Sequence, residues 1–181
     1  MAEALHGQTE KLHFLIGSLV KLSRLENGIL TLHPKMEPIA PMLDRLAGQF
    51  GAKAREKGLL LEIGETDVWA QIDPKWTLEA LGNLVDNALK YTETGTVRVS
   101  VMEYQLFVRI DVEDTGIGIR EEDMAGIFAR FYRGEAVRES EGVGLGLYLA
   151  RQIVTQEGGY LKAEAVPGGG SRFSMFLPSG K

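Results

Sequence analysis

The chain contains no cysteine. Disulfides, thiolate zinc sites and cysteine nucleophiles are thereby excluded. Histidine is scarce: His6, His13 and His33 are the full set. No apolar run approaches bilayer-spanning length. The N-terminus also lacks the basic, apolar and small-residue order of a signal peptide. The expectation is a cytoplasmic chain, or the cytoplasmic piece of something larger. Positive charge is not in excess, with 20 Lys and Arg against 25 Asp and Glu and a net charge of −5. That balance argues against a nucleic-acid groove as the main function. Internal repeats and low-complexity tracts are absent as well.

What remains is an ordinary globular composition: 181 residues, 44% apolar and 25% charged. Such a length suits one domain with an appendage and a core that needs no staples. Residues 1–27 read as one amphipathic helix. Leu12, Leu15, Ile16, Leu19 and Leu22 recur at three- and four-residue spacing. Leu5, Leu12 and Leu19 form a seam like that of a helical bundle or short coiled coil. The helix either packs on its own domain or belongs to a bundle of other helices. Asn27-Gly28 is its stop signal.

Residues 29–40 look like a linker carrying an edge strand at 29–32, with prolines at 34, 38 and 41. A helix is predicted over 41–57, then strands at 59–63 and 68–72. Asp73-Pro74 is a helix start, an N-cap followed by proline in the first turn, and that helix runs to Tyr91. Residues 96–102 and 106–112 alternate as a hairpin. A loop with short helices covers 114–144, a helix covers 144–157, and a last hairpin joins 160–166 to 171–177 around "PGGG". Helices crossing strands, with hairpins present, imply an α+β fold. It is a two-layer sandwich in which a mixed sheet is covered on one face by helices.

The 74–91 helix carries two stripes. Leu78, Leu81, Val85 and Leu89 make the apolar one. Glu79, Asn83, Asn87 and Lys90 lie roughly opposite. Asparagine prefers caps and turns, so two on one helix face ask for a reason. An amide carbonyl can ligate a hard cation such as Mg²⁺, and lysine can meet phosphate. The alternative is a solvated face. In "VEDTGIGI" Asp114 stands where a strand ends, and the glycines allow close backbone approach. Its carboxylate can accept from an exocyclic amine or can simply close an Asx turn. A single "DTG" in a helix-rich chain does not make an aspartic protease, which needs a paired aspartate. "EGVGLGLYLA" follows a polar segment and opens a helix, whose first-turn N–H groups suit phosphate oxygens. It lacks the G-x-G-x-x-G spacing of a dinucleotide loop.

Taken in order, these stretches resemble the boxes of sensor histidine kinases. "NLVDNALKY" is similar to the N box, "DTGIGI" to the G1 box, "IFARFYR" to the F box and "GVGLGLYLARQIV" to the G2 box. "LVKLSRLENGILTL" resembles the passage from a dimerisation helix into the catalytic domain. The resemblance implies the ATP-binding fold shared with gyrase, mismatch-repair ATPases and heat-shock chaperones, and implies ATP and Mg²⁺ as its cofactors. It makes Asn87 the Mg²⁺ ligand. Asn83 stands one turn earlier on the phosphate side, where the ATPases carry an acidic residue. It sends Lys90 to the phosphates, Tyr91 to the ribose or base and Asp114 to the adenine amino group. Gly116 and Gly118 shape the pocket floor, beside Ile119. Phe128 and Phe131 anchor a lid over 132–143, and Arg130 or Arg133 faces the γ-phosphate. Gly142, Gly144 and Gly146, with Leu145 and Leu147, wrap the phosphates.

The family's acceptor is a histidine followed by an acidic residue. His6-Gly7, His13-Phe14 and His33-Pro34 do not match it. The implied organisation is the end of a dimerisation helix over 1–28, a linker over 29–40 and an ATP-binding catalytic domain over 41–181. The implied partners are ATP, the histidine-bearing dimerisation domain of the same parent and, indirectly, a response regulator. A homodimer through 1–27 is expected, nucleic acid is not, and the parent is expected to be a membrane-anchored sensor. The alternatives are an anti-sigma-type serine kinase of the same fold, or a non-catalytic nucleotide-binding docking module.

Overall fold

A computed structural model describes residues 2–134, 142 and 144–181. Most of the expected lid lies outside the described residues, and so does the Leu5 side chain of the seam. Helix α1 (Ala2–Glu26) forms as the leucine spacing requires. Its C-terminal half meets the core, with Leu15 packed against it. Leu22 and Leu25 are buried there, whereas Leu12, Ile16 and Leu19 remain exposed.

The chain leaves α1 through Gly28 at φ +67. The Ile29 and Leu30 N–H groups both donate to the Arg24 carbonyl, at 2.9 and 3.0 Å. Closing the helix in this way consumes the donors that a strand at 29–32 needs, so the expected edge strand does not form there. Leu32 plugs the core instead, and the His33 N–H donates to Asp73 Oδ2 at 3.0 Å. Strand β1 (Lys35–Pro38) begins just beyond. It pairs antiparallel with β3 (Trp69–Ile72), from Lys35 opposite Ile72 to Pro38 opposite Trp69.

Helix α2 (Ala40–Glu56) has a proline in its first turn and buries Leu43, Leu46 and Phe50. Strand β2 (Leu60–Ile63) follows. Helix α3 (Pro74–Lys90) starts after Asp73 as predicted, but Asp73 makes no side-chain cap. Its carboxylate is turned to His33, and another residue caps the helix from outside. Glu157 Oε1 accepts from the Asp73 N–H at 2.8 Å and from Thr77 Oγ1 at 2.6 Å.

The main sheet has the order β2-β4-β5-β7-β6. It comprises β4 (Thr96–Glu103), β5 (Phe107–Asp114), β6 (Tyr160–Ala165) and β7 (Ser171–Pro178) beside β2. Only β2 and β4 run parallel; the other three pairings are antiparallel. The sheet is therefore mixed. Register puts Val108 opposite Leu177, Ile110 opposite Met175 and Val112 opposite Phe173. All six are buried under the helices. Each such side chain contributes roughly 1.5–3 kcal/mol through removal from water. Leu81, Leu84, Val85 and Leu89 of α3 meet them and are fully buried. The alternate positions form the other face, where Ser174 Oγ donates to Asp111 Oδ1 at 2.6 Å and the Tyr160 and Phe176 rings stack at 4.5 Å. Short α4 (Glu121–Met124) and α5 (Gly146–Gln156) complete the fold. Helix α5 starts two residues later than predicted because Gly144 holds φ +74, outside helical geometry.

Candidate functional site

A cavity of about 170 Å³ opens between α3, the start of α5 and the segment that follows β5. Its first wall is the polar stripe of α3. With the apolar stripe held on the sheet, Asn83, Asn87 and Lys90 have to face the other way, into the cavity. Glu79, the fourth member of the stripe, stays out of it and pairs with Lys21 of α1 at 2.6 Å. Asn83 Nδ2 is buried and meets no acceptor among the described residues. A buried donor left in this state costs on the order of 1–3 kcal/mol, so the wall is incomplete without an acceptor. Lys90 Nζ lies 5.4 Å from the centre of the Tyr91 ring, and Tyr91 lines the cavity too.

The second wall is the end of β5. Asp114 Oδ1 accepts from the Gly116 N–H at 2.9 Å, and Oδ2 accepts from Ser171 Oγ. The Asx turn is thus present, and the same carboxylate lines the cavity. Burial pushes its pKa up, while the Ser171 and Gly116 hydrogen bonds pull against that shift. Gly118 and Ile119 line the cavity beside it. Gly116 stands behind the wall, where a side chain would meet the Tyr91 carbonyl oxygen at 2.2 Å. The Ile117 N–H donates to that carbonyl at 3.2 Å, pinning the loop to the end of α3. Gly116 is thus needed for the close packing of this loop against the end of α3.

The third wall is the start of α5. Gly142, Gly144, Leu145, Gly146 and Leu147 all reach the cavity. A side chain at Gly142 would run into Lys90 Nζ, and one at Gly144 would run into the Tyr132 carbonyl oxygen 2.6 Å away. The Phe131 N–H donates to the Gly144 carbonyl at 3.0 Å, joining this strand of glycines to the segment before it. Leu145, at the N-cap of α5, makes no side-chain cap, and the first-turn N–H groups of such a helix suit an anion.

The two arginines separate. Arg133 lines the cavity. Arg130 is directed elsewhere: it pairs with Glu26 at the end of α1 and lies 5.1 Å from the Tyr148 ring centre. The Tyr148 hydroxyl donates to Glu26 at 2.7 Å, and the Arg130 hydrogen bond is the main reason that the Glu26 pKa is lowered. Phe131 also lies outside the cavity, half-exposed at φ +60. Phe128, by contrast, packs edge-on against Phe173 with ring centres 6.0 Å apart.

The family described as histidine kinase-, DNA gyrase B- and HSP90-like ATPase matches residues 72–181. The chain belongs to that family. All three cavity walls fall within the matched ATPase residues. The chain thus carries an ATP-binding domain of the family.

Two relatives of this ATPase domain are sensor proteins. EvgS of Escherichia coli (strain K12) is 28% identical over 172 residues, covering 91% of this chain and 14% of EvgS. SrrB of Staphylococcus aureus (strain NCTC 8325 / PS 47) is 29% identical over 176 residues, covering 94% of this chain and 30% of SrrB. The chain therefore spans less than a third of these relatives. Among solved structures, full-length ShkA in complex with AMPPNP matches with a TM-score of 0.83 at 25% identity, covering 97% of this chain and 37% of ShkA. The Acinetobacter baumannii histidine kinase AdeS shares the fold with a TM-score of 0.77 at 23% identity, covering 99% of this chain and 84% of that one. Among the described residues no helix is long and apolar enough to cross a membrane.

Sequence reasoning missed several lining residues of the ATPase pocket. Asp86 is one, held by Lys53 of α2. Ser171 and Phe173 come from β7, far along the chain, and nothing local marks them. Asp123 is another, accepting from Tyr132 Oη at 2.6 Å and from Arg120 Nε at 2.8 Å. Its signal was readable: an acidic residue three positions after Arg120 in a short helix. Phe14, on α1, also lines the pocket.

Proposed function

We propose that this chain is the catalytic portion of a sensor histidine kinase. It binds Mg-ATP and donates the γ-phosphoryl group to a histidine on a dimerisation domain of the same parent. The observation that carries this reading is the buried Asn83 Nδ2, which meets no acceptor among the described residues. It shares one cavity with Asn87, Lys90 and Asp114, beside the start of α5. That cavity is lined by the Asp114 carboxylate on one wall and by amide, ammonium and helix N–H donors on the others, and its two further carboxylates, Asp86 and Asp123, are engaged by Lys53 and by Arg120 and Tyr132. A nucleotide fits this lining, with its base amine at Asp114 and its phosphates along Asn83, Lys90, Gly142, Gly144 and Gly146.

Asn87 is the residue that would hold Mg²⁺. The ion needs few protein ligands when phosphates and water supply the rest. When bound, the ion neutralises charge on the phosphate oxygens. Lys90 and Arg133 supply further positive charge to the transferring group. In transfer, a nitrogen of the acceptor imidazole forms the bond to phosphorus as the bond to the ADP oxygen breaks.

Hydrolysis is disfavoured for a reason that lies in this chain. Asn83 is an amide and cannot take a proton from water. Nearby Asp86 and Asp123 are engaged by Lys53, and by Arg120 and Tyr132. The γ-phosphoryl group is thereby kept for its acceptor. The further partners follow from the same reading. A response regulator takes the phosphoryl group from the histidine, and the parent is a membrane-anchored sensor with this domain on the cytoplasmic side.

The test is calorimetric titration with ATP, with and without Mg²⁺. Next, γ-labelled ATP is supplied with a separately prepared acceptor domain. Acid-labile label on the acceptor, and none on this chain alone, is the expected result. Stable label on His6 or His13, or no ATP binding at all, would overturn the proposal.

A further inference from the structure

We propose that Phe14 is a nucleotide-binding residue, so that α1 completes a pocket whose other walls all come from residue 83 onward. The inference rests on the nucleotide reading given above. Phe14 lines the same cavity as Asn83, Asn87 and Asp114, yet it lies far outside the 72–181 segment that the ATPase family matches. It is therefore a feature of this chain's helix and not of the ATPase domain itself.

Helical spacing explains how the ring gets there. The Lys21–Glu79 ion pair, at 2.6 Å, marks where α1 comes against the polar face of α3. Phe14 stands seven residues before Lys21, on the same side of α1 and about 10 Å along its axis. Asn83 and Asn87 stand one and two turns beyond Glu79 on α3. The two stretches meet at the cavity mouth. Beyond this contact, α1 is held at its other end. Leu22 and Leu25 are each 2% exposed in the core, Gln156 Nε2 donates to the Leu25 carbonyl at 3.2 Å, and Tyr148 Oη donates to Glu26. The position of Phe14 follows from these anchors.

The ring is 58% exposed at the rim. An apolar aromatic left open beside polar groups gains from a flat or apolar partner, such as the base or sugar of a nucleoside triphosphate. Packing there also keeps water from the edge of the pocket, while the polar groups of α3 orient the ligand.

The experiment uses the full chain. Mg-ATP is titrated into the wild type, Phe14→Ala and Phe14→Leu, and thermal unfolding is followed in parallel. The expected result is an affinity lowered about fivefold or more in Phe14→Ala and partly restored in Phe14→Leu, with unfolding temperatures unchanged. In Phe14→Trp, the new indole emission shifts on ATP addition by more than the wild-type response. Equal binding by Phe14→Ala together with a silent Phe14→Trp overturns the proposal. Tighter binding by Phe14→Ala also overturns it, because the ring would then be an obstruction. If the wild type binds no Mg-ATP, the nucleotide reading itself fails. If the wild type binds and Asn87→Ala does not, unchanged Phe14 variants sink this inference alone.

Discussion

Glu157, at the end of α5, accepts the N–H of Asp73 at the start of α3 over 2.8 Å. One carboxylate thus clamps the two helices that form the cavity walls. It does so from a buried position, with its other oxygen, Oε2, unpartnered among the described residues. Burial is the main cause that pushes the Glu157 pKa from 4.5 to about 7, with the Thr77 and Asp73 hydrogen bonds opposing it.

That shift has a definite sign. The folded state holds the proton more tightly than the unfolded chain. The stabilisation is full below the unfolded value and is lost as pH rises through about 7. At 1.36 kcal/mol per unit, the loss amounts to about 3 kcal/mol. Glu157→Gln, which keeps the shape without titrating, should be flatter between pH 5 and pH 8. Urea unfolding of both proteins across that range measures the difference, and parallel curves would refute the prediction.

Asn83 is a stability–function trade. Its buried donor, without an acceptor among the described residues, costs the free protein, whereas a phosphate acceptor repays it. Asn83→Ala should therefore unfold at or above the wild-type temperature. Its ATP affinity should fall about tenfold, the value of a charge-assisted hydrogen bond. Calorimetry paired with a thermal melt reads both; an unchanged affinity would remove Asn83 from the site.

Asn87→Ala should abolish the Mg²⁺-dependent part of ATP binding while the fold stays intact. Asn87 is partly exposed to the cavity, so its removal leaves no core void. Titrations with and without Mg²⁺ that respond alike in wild type and variant would remove the metal role.

The arginines should behave differently. Arg133 lines the cavity and Arg130 is engaged with Glu26. Arg133→Ala should weaken ATP binding by about tenfold. Arg130→Ala should leave it near the wild-type value. The reverse order would mean that Arg130 leaves Glu26 when nucleotide is present.

The open side of α1 should associate. Leu12, Ile16 and Leu19 are 56, 54 and 37% exposed along one helix. Light scattering should report dimers of this chain, shifted to monomers by Leu12→Glu with Ile16→Glu. A wild-type monomer at high concentration would argue against the seam.

Much of the fold was legible in the sequence because the signals are local. Proline after Asp73, alternation through 96–112 and the 3.6-residue period of the 74–91 helix depend on nearby residues alone. The edge strand was misplaced because its donors are spent on Arg24, a helix-closing geometry that no period reveals. The Asp73 cap was misread for a related reason. Its carboxylate turns to His33 and its N–H is met by Glu157, residues 40 and 84 positions away.

The candidate site divides in the same way. The sequence by itself determined which groups are available: two amides and a lysine on one helix face, an aspartate at a strand end, and glycines before a helix. Helical and strand periods set these orientations within each element. Only the tertiary structure decided which groups share a cavity. It brought in Ser171, Phe173 and Phe14, turned Arg130 toward Glu26 and left Asn83 without an acceptor among the described residues. Those outcomes depend on how helices pack across the sheet. Packing is set by the summed burial of the whole core, and no single motif encodes it.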